Sequence, residues 1–110
     1  MKIKNIAIPI YGCRLTMILS EDLSKVADKY KLKDVEGFKA LVFKDDTKDR
    51  HYVVAFTDPS HLSNVAHEIV HIKNHIFLDC AMELDRHNDE PEAYLTGWLF
   101  DEIYEFLKQK

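Results

Sequence analysis

The chain has 110 residues, 46% of them apolar and 31% charged, with a formal net charge of -4 and few glycines or prolines. That composition describes one ordinary globular domain with a modest core and argues against disorder. A net acidic chain lacks the positive field that sequence-independent binding to nucleic acid or anionic membranes requires, so neither partner is expected.

In chain order, the first 20 residues run "IKNIAIPIYGCRLTMIL" from Ile3, apolar and rich in isoleucine, broken by Pro9 and by Tyr11-Gly12. This predicts strand, bend, strand, with Pro9 at a sheet edge or a bulge. Ser20 follows as an N-cap, with two acids after it and Leu23, Val26, Ala27 and Tyr30 at helical spacing, so a short amphipathic helix is predicted. Two β-rich runs, Phe38 to Phe43 and His51 to Thr57, flank a polar segment and predict a hairpin. Asp58-Pro59 offers a cap and a proline for the first turn of a helix running to about Phe77. After a polar loop, Asp89 to Pro91 opens a last helix that reaches the C-terminus. The expected fold is therefore α+β, a single domain over residues 1–110, with a small antiparallel sheet of about four strands packed against the two long helices.

No uncharged run approaches the roughly 20 apolar residues of a spanning helix, and no signal-peptide pattern opens the chain, so a cytoplasmic protein is expected. Cys13 and Cys80 lie far apart without CxxC spacing, and free thiols are the simplest reading.

The chemistry concentrates in "VAHEIVHIKNHIFLDC", residues 65 to 80. At 100° per residue, Asn64, Glu68, His71, Asn74 and His75 share an arc with His67, while Leu62, Val65, Ala66, Ile69, Val70, Ile72, Ile76 and Phe77 fill the opposite one. A solvated face normally carries Lys, Arg and Glu, whereas this arc holds three His, two Asn and one Glu, a composition that fits a polar cleft. Imidazoles at i and i+4 stand one turn apart on one face and can converge on a single Zn²⁺ at roughly 2.0 to 2.1 Å. Glu68, one residue beyond His67, is placed to act on a water as general base. Shuffling the composition would produce the same five-residue pattern about once in fifty tries, so its surroundings must carry the rest. His75 extends the row too far for one ion and reads as a rim residue.

"HEIVH" is followed after eighteen residues by "EPEA", Glu90 to Ala93. The pair resembles the HExxH…ExxA pattern of gluzincin-type zinc metallopeptidases, and residues 65 to 99 are also similar to small HExxH proteins of bacteriophages and other mobile elements, assigned as metallopeptidases without a known substrate. The resemblance implies a minimal zincin-like domain in which zinc is held by His67, His71 and Glu90. It leaves Glu68 as the base and a peptide or protein as substrate. Glu92 competes with Glu90 as third ligand, followed by Asp89 and His87. Where the pattern often has Asp, this chain has Tyr94, which would orient a ligand or donate to an oxyanion. A third-His arrangement of the metzincin kind fails, because position 77 is Phe. By the same analogy His51 to Thr57 would be the edge strand lining the cleft. The competing reading, from a different class, is a small binding or regulatory protein of a mobile element in which the metal site is structural or vestigial.

Overall fold

Alternation along the strands dictates how the layers stack. The computed structural model describes residues 1–57 and 61–109. Among them the elements are β1 (Lys2–Ile8), β2 (Cys13–Ser20), α1 (Leu23–Tyr30), β3 (Ala40–Lys44), β4 (His51–Thr57), α2 (Leu62–Asp79) and α3 (Glu90–Lys108). The strands form one sheet in the order β1-β2-β4-β3. Successive side chains of a strand point to opposite faces. Leu15, Met17, Tyr52, Val54 and Phe56 accordingly join the core under α2 and α3. Ile18, Val53 and Ala55 join a smaller core with Leu23 and Val26 of α1. The molecule is thus α+β, a sheet with α1 on one face and α2 beside α3 on the other.

The sheet is mixed, which corrects the expectation of a wholly antiparallel one. β1 pairs antiparallel with β2, and β3 with β4, but the central pair β2 and β4 is parallel, Arg14 opposite His51 through Ser20 opposite Thr57. The chain leaves β2 through α1, runs out along the edge in β3 and turns back into the middle. A connection containing a helix and a strand permits parallel pairing, where a tight turn would not. β4 is therefore an interior strand, buried on both faces until Thr57, and β3 takes the edge beside α2.

Local signals differ at three boundaries. The cap of α1 is Asp22, whose side chain accepts from the Ser24 backbone N–H at 2.9 Å, whereas Ser20 closes β2 and donates to the Asp22 carbonyl. β3 begins at Ala40, two residues later than the β-rich run. The expected cap at Asp58-Pro59 lies outside the described residues, and α2 continues to Asp79, beyond Phe77.

Three ties fix α2 and α3 over the sheet. At the end of α2, Asp79 accepts from the Lys44 ammonium at 2.8 Å and from the Tyr52 hydroxyl at 2.5 Å. Lys73 of α2, almost fully buried, pairs with Glu92 of α3 at 3.5 Å. Lys2 of β1 donates to the Phe106 and Gln109 carbonyls at the end of α3, where orphan acceptors and the negative helix terminus favour a cation.

Candidate metal centre

The buried stripe of α2 is Val65, Glu68, Ile69, Ile72, Lys73, Ile76 and Phe77, the i, i+3, i+4, i+7 spacing of a core-facing helix. Compared with the wheel drawn from sequence, the helix is rotated. Leu62 and Val70 emerge at the surface, about half exposed, and Glu68 moves inward. Rotation was decided by α3, which lies along one flank of α2 and buries Lys73 there.

The opposite flank carries the histidines. His67 and His71 bring their Nε2 atoms to 3.2 Å, with ring centroids 4.9 Å apart and the planes at 70°. The Glu68 Oε2 is 3.9 Å from His67 Nε2. One ligand atom from each of these three residues lies within 4.8 Å of the others, and among the described residues this is the only such group able to hold a metal ion. Two nitrogens bound to one tetrahedral ion at 2.0 to 2.1 Å stand about 3.3 Å apart, so the imidazole pair fits that role without rearrangement. The three side chains together offer donor atoms with which a metal ion could be held.

Burial divides the three residues by role. Both imidazoles are exposed, whereas the Glu68 side chain is only 8% exposed. Loss of solvent raises the Glu68 pKa above the ordinary carboxylate value, against the opposing pull of His67 and His71. A carboxylate of raised basicity beside a metal position is a competent proton acceptor.

A cleft of about 600 Å³ opens in front of the group. One wall is α2, with Asn64, His67, Glu68, His71 and His75, and the other is the segment from Gly37 to Val42, leading into edge strand β3. The wall expected from His51 to Thr57 is thus supplied by β3. β4 contributes from beneath: Tyr52 stacks on His75, centroids 5.7 Å apart and planes at 23°, and burial lowers the His75 pKa below its ordinary value. His75 lines the cleft with its ring against that of Tyr52, whose hydroxyl donates to Asp79. No protein-family model, curated protein or solved structure matches this chain.

The expected third ligand is not brought to the histidines. Glu90 is exposed in the first turn of α3, and Glu92 is committed to Lys73. Asp89 and His87 are exposed in the turn before α3. None of the four joins the His67, Glu68 and His71 group. The cause is lateral order: α3 sits on the Lys73 flank of α2, about 200° around the helix from His71, while the histidines face the β3 edge. Tyr94 is likewise corrected. It is 76% exposed and lines a separate cavity with Ile8 to Tyr11 and Trp98, on the far side of α3. The β3 wall of the cleft was not expected from sequence, although the β-rich run Phe38 to Phe43 marked the strand itself.

Proposed function

We propose that this chain is a zinc-dependent hydrolase of peptide amide bonds, with His67 and His71 as protein ligands and Glu68 as general base. The observation that carries the reading is the convergence of two imidazoles at tetrahedral-edge spacing with a desolvated carboxylate beside them, at the mouth of a cleft walled by a sheet edge. Zinc, when bound, supplies a Lewis acid for the substrate carbonyl and lowers the pKa of water toward 7. Glu68 takes a proton from the attacking water and returns it to the departing nitrogen, its carboxylate standing 3.9 Å from His67 at the wall of the cleft. The outer edge of β3 offers backbone groups with which an extended peptide pairs, setting its scissile bond before the histidines. Both cysteines are free, in keeping with a reducing cytoplasm.

The test combines metal analysis with turnover. Protein purified without chelator carries one zinc per chain, His71→Ala loses it, and Glu68→Gln keeps it while hydrolysis of a casein or peptide-library substrate falls at least about a hundredfold. Glu90→Ala retains zinc. Absence of metal from the wild type, or unchanged turnover by Glu68→Gln, removes the hydrolase reading. The rival, a binding or regulatory protein with a structural metal, is favoured by the confinement of the whole donor set to one helix turn. It predicts that chelation lowers the melting temperature and abolishes no cleavage.

A further inference from the structure

A second site lies across α3 from the histidines and is independent of the hydrolase reading. Residues 8–11 and one face of α3 line a cavity of about 620 Å³, the size of a ligand pocket. Its walls are mainly apolar and aromatic, with Pro9, Ile10 and Tyr11 on the turn and Tyr94, Trp98 and Asp101 on the helix. Along α3, Tyr94, Trp98 and Asp101 recur at i, i+4 and i+7 and share one face. Two aromatic rings thus stand beside one acid.

Asp101, the acid of the lining, forms no salt bridge among the described residues. Carboxylate and aromatic faces attract the same ligand, an organic cation, the one by charge and the other by the negative face of its ring. The charge of the pocket therefore calls for a guanidinium or ammonium with an apolar stem.

The rim identifies the bearer of that cation. Ile10 is 96% exposed and Tyr94 76%. Tyr11 donates its backbone N–H to the Pro9 carbonyl at 2.9 Å across Ile10, which has φ 76. This is a γ-turn in the left-handed sense, a rare and strained form, and it holds a β-branched residue in a region such residues avoid. Strain of this kind persists mainly at functional sites, and here it projects an aliphatic side chain into water beside the cavity. A small cation would leave Ile10 and Tyr94 uncovered, whereas a polypeptide would bury them with the pocket. Tyrosine and tryptophan, here Tyr94 and Trp98, are enriched in binding hot spots.

We propose that this cavity docks a partner polypeptide through an arginine or lysine side chain set between apolar residues. Trp98 is the only tryptophan in the chain and lines the cavity, so its fluorescence responds to a ligand bound there. The probes are acetyl-Leu-Arg-Leu-amide, its Gln and Glu counterparts, and tetramethylammonium, titrated against the whole chain. A saturable change in Trp98 emission is expected, with the Arg peptide binding at least about fivefold more tightly than the Gln peptide and the Glu peptide weakest. Asp101→Asn, an exposed helix position, should fold normally by circular dichroism and lose the Arg preference. Tyr94→Ala should weaken all three peptides. Equal affinity for the three peptides, an unchanged preference in Asp101→Asn, or no saturable change overturns the proposal. Tetramethylammonium binding as tightly as the Arg peptide also overturns it, in favour of a small-cation pocket.

Discussion

At His51 a single side chain shows how burial sets a pH limit on this protein. Its ring is 4% exposed, and its Nε2 meets the Thr16 hydroxyl at 2.7 Å and the Asn5 amide nitrogen at 3.3 Å. Asn5 can only donate there, so Nε2 accepts and the ring is neutral, with its proton on Nδ1. Burial first, and Lys48 second, hold the His51 pKa below the ordinary 6.5. The unfolded chain therefore binds a proton near pH 6.5 that the folded chain resists, and stability falls as pH drops below that value. His75, lowered chiefly by burial, acts in the same sense. Asp79 acts in a lower window: held below 3.8 by its bonds from Lys44 and Tyr52, it stabilises the fold above that value and ceases to as pH falls through its folded pKa. Urea unfolding from pH 7.5 to 5.5 should show declining stability, and His51→Gln, which keeps an acceptor for Thr16, should flatten the slope. A slope unchanged by the substitution would assign the effect elsewhere.

Helix pairing and the first turn carry the element-scale predictions. Lys73 is 9% exposed and its partner Glu92 33%, so the pair is screened on one side only. Glu92→Ala should cost about 1 kcal/mol, because it leaves an ammonium buried without its counter-charge. Lys73→Met should cost less than that or stabilise, since it removes the charge and keeps the apolar stem. Chemical denaturation of the two variants decides the order, and a Lys73→Met variant weaker than Glu92→Ala would contradict it. The γ-turn makes a prediction of opposite sign. Ile10 contributes almost no burial, so Ile10→Gly loses little packing while releasing about 1 kcal/mol of left-handed backbone strain. Its melting temperature should rise by about 5 °C, and a fall would show that Ile10 packs against the fold.

For the whole molecule the decisive feature is that the two imidazoles of the metal group are exposed while Glu68 alone is buried. Both imidazoles are exposed and stand outside the apolar clusters under α1 and under α2 with α3, so the chelated chain should stay folded with its circular dichroism intact. Zinc then acts by mass action on the native state alone, and free ion at about a hundred times its Kd should add about 2.7 kcal/mol. The check is a melting curve with zinc and with chelator. Unfolding on chelation would make the metal structural, whereas a lowered melting temperature alone fits either reading. No helix among the described residues is long and apolar enough to cross a membrane.

How much of this was legible in advance follows from the range of the forces involved. Element order, the α+β class, the strand His51–Thr57 and the pairing of His67 with His71 rest on periodicity within one segment, and local backbone geometry obeys it. Glu68 as neighbour to that pair is equally local, since one residue along a helix fixes its angle. Packing decided the rest. The parallel pairing of β2 with β4 arose from where the chain re-entered the sheet, and it moved the cleft wall from β4 to β3. The seating of α3 on the Lys73 flank rotated α2, buried Glu68, and carried Glu90 and Tyr94 away from the histidines. Sequence by itself therefore determined which side chains each helix carries and on which face. Only the tertiary structure decided which faces meet, because that depends on apolar burial summed over distant segments, to which no single motif is privy.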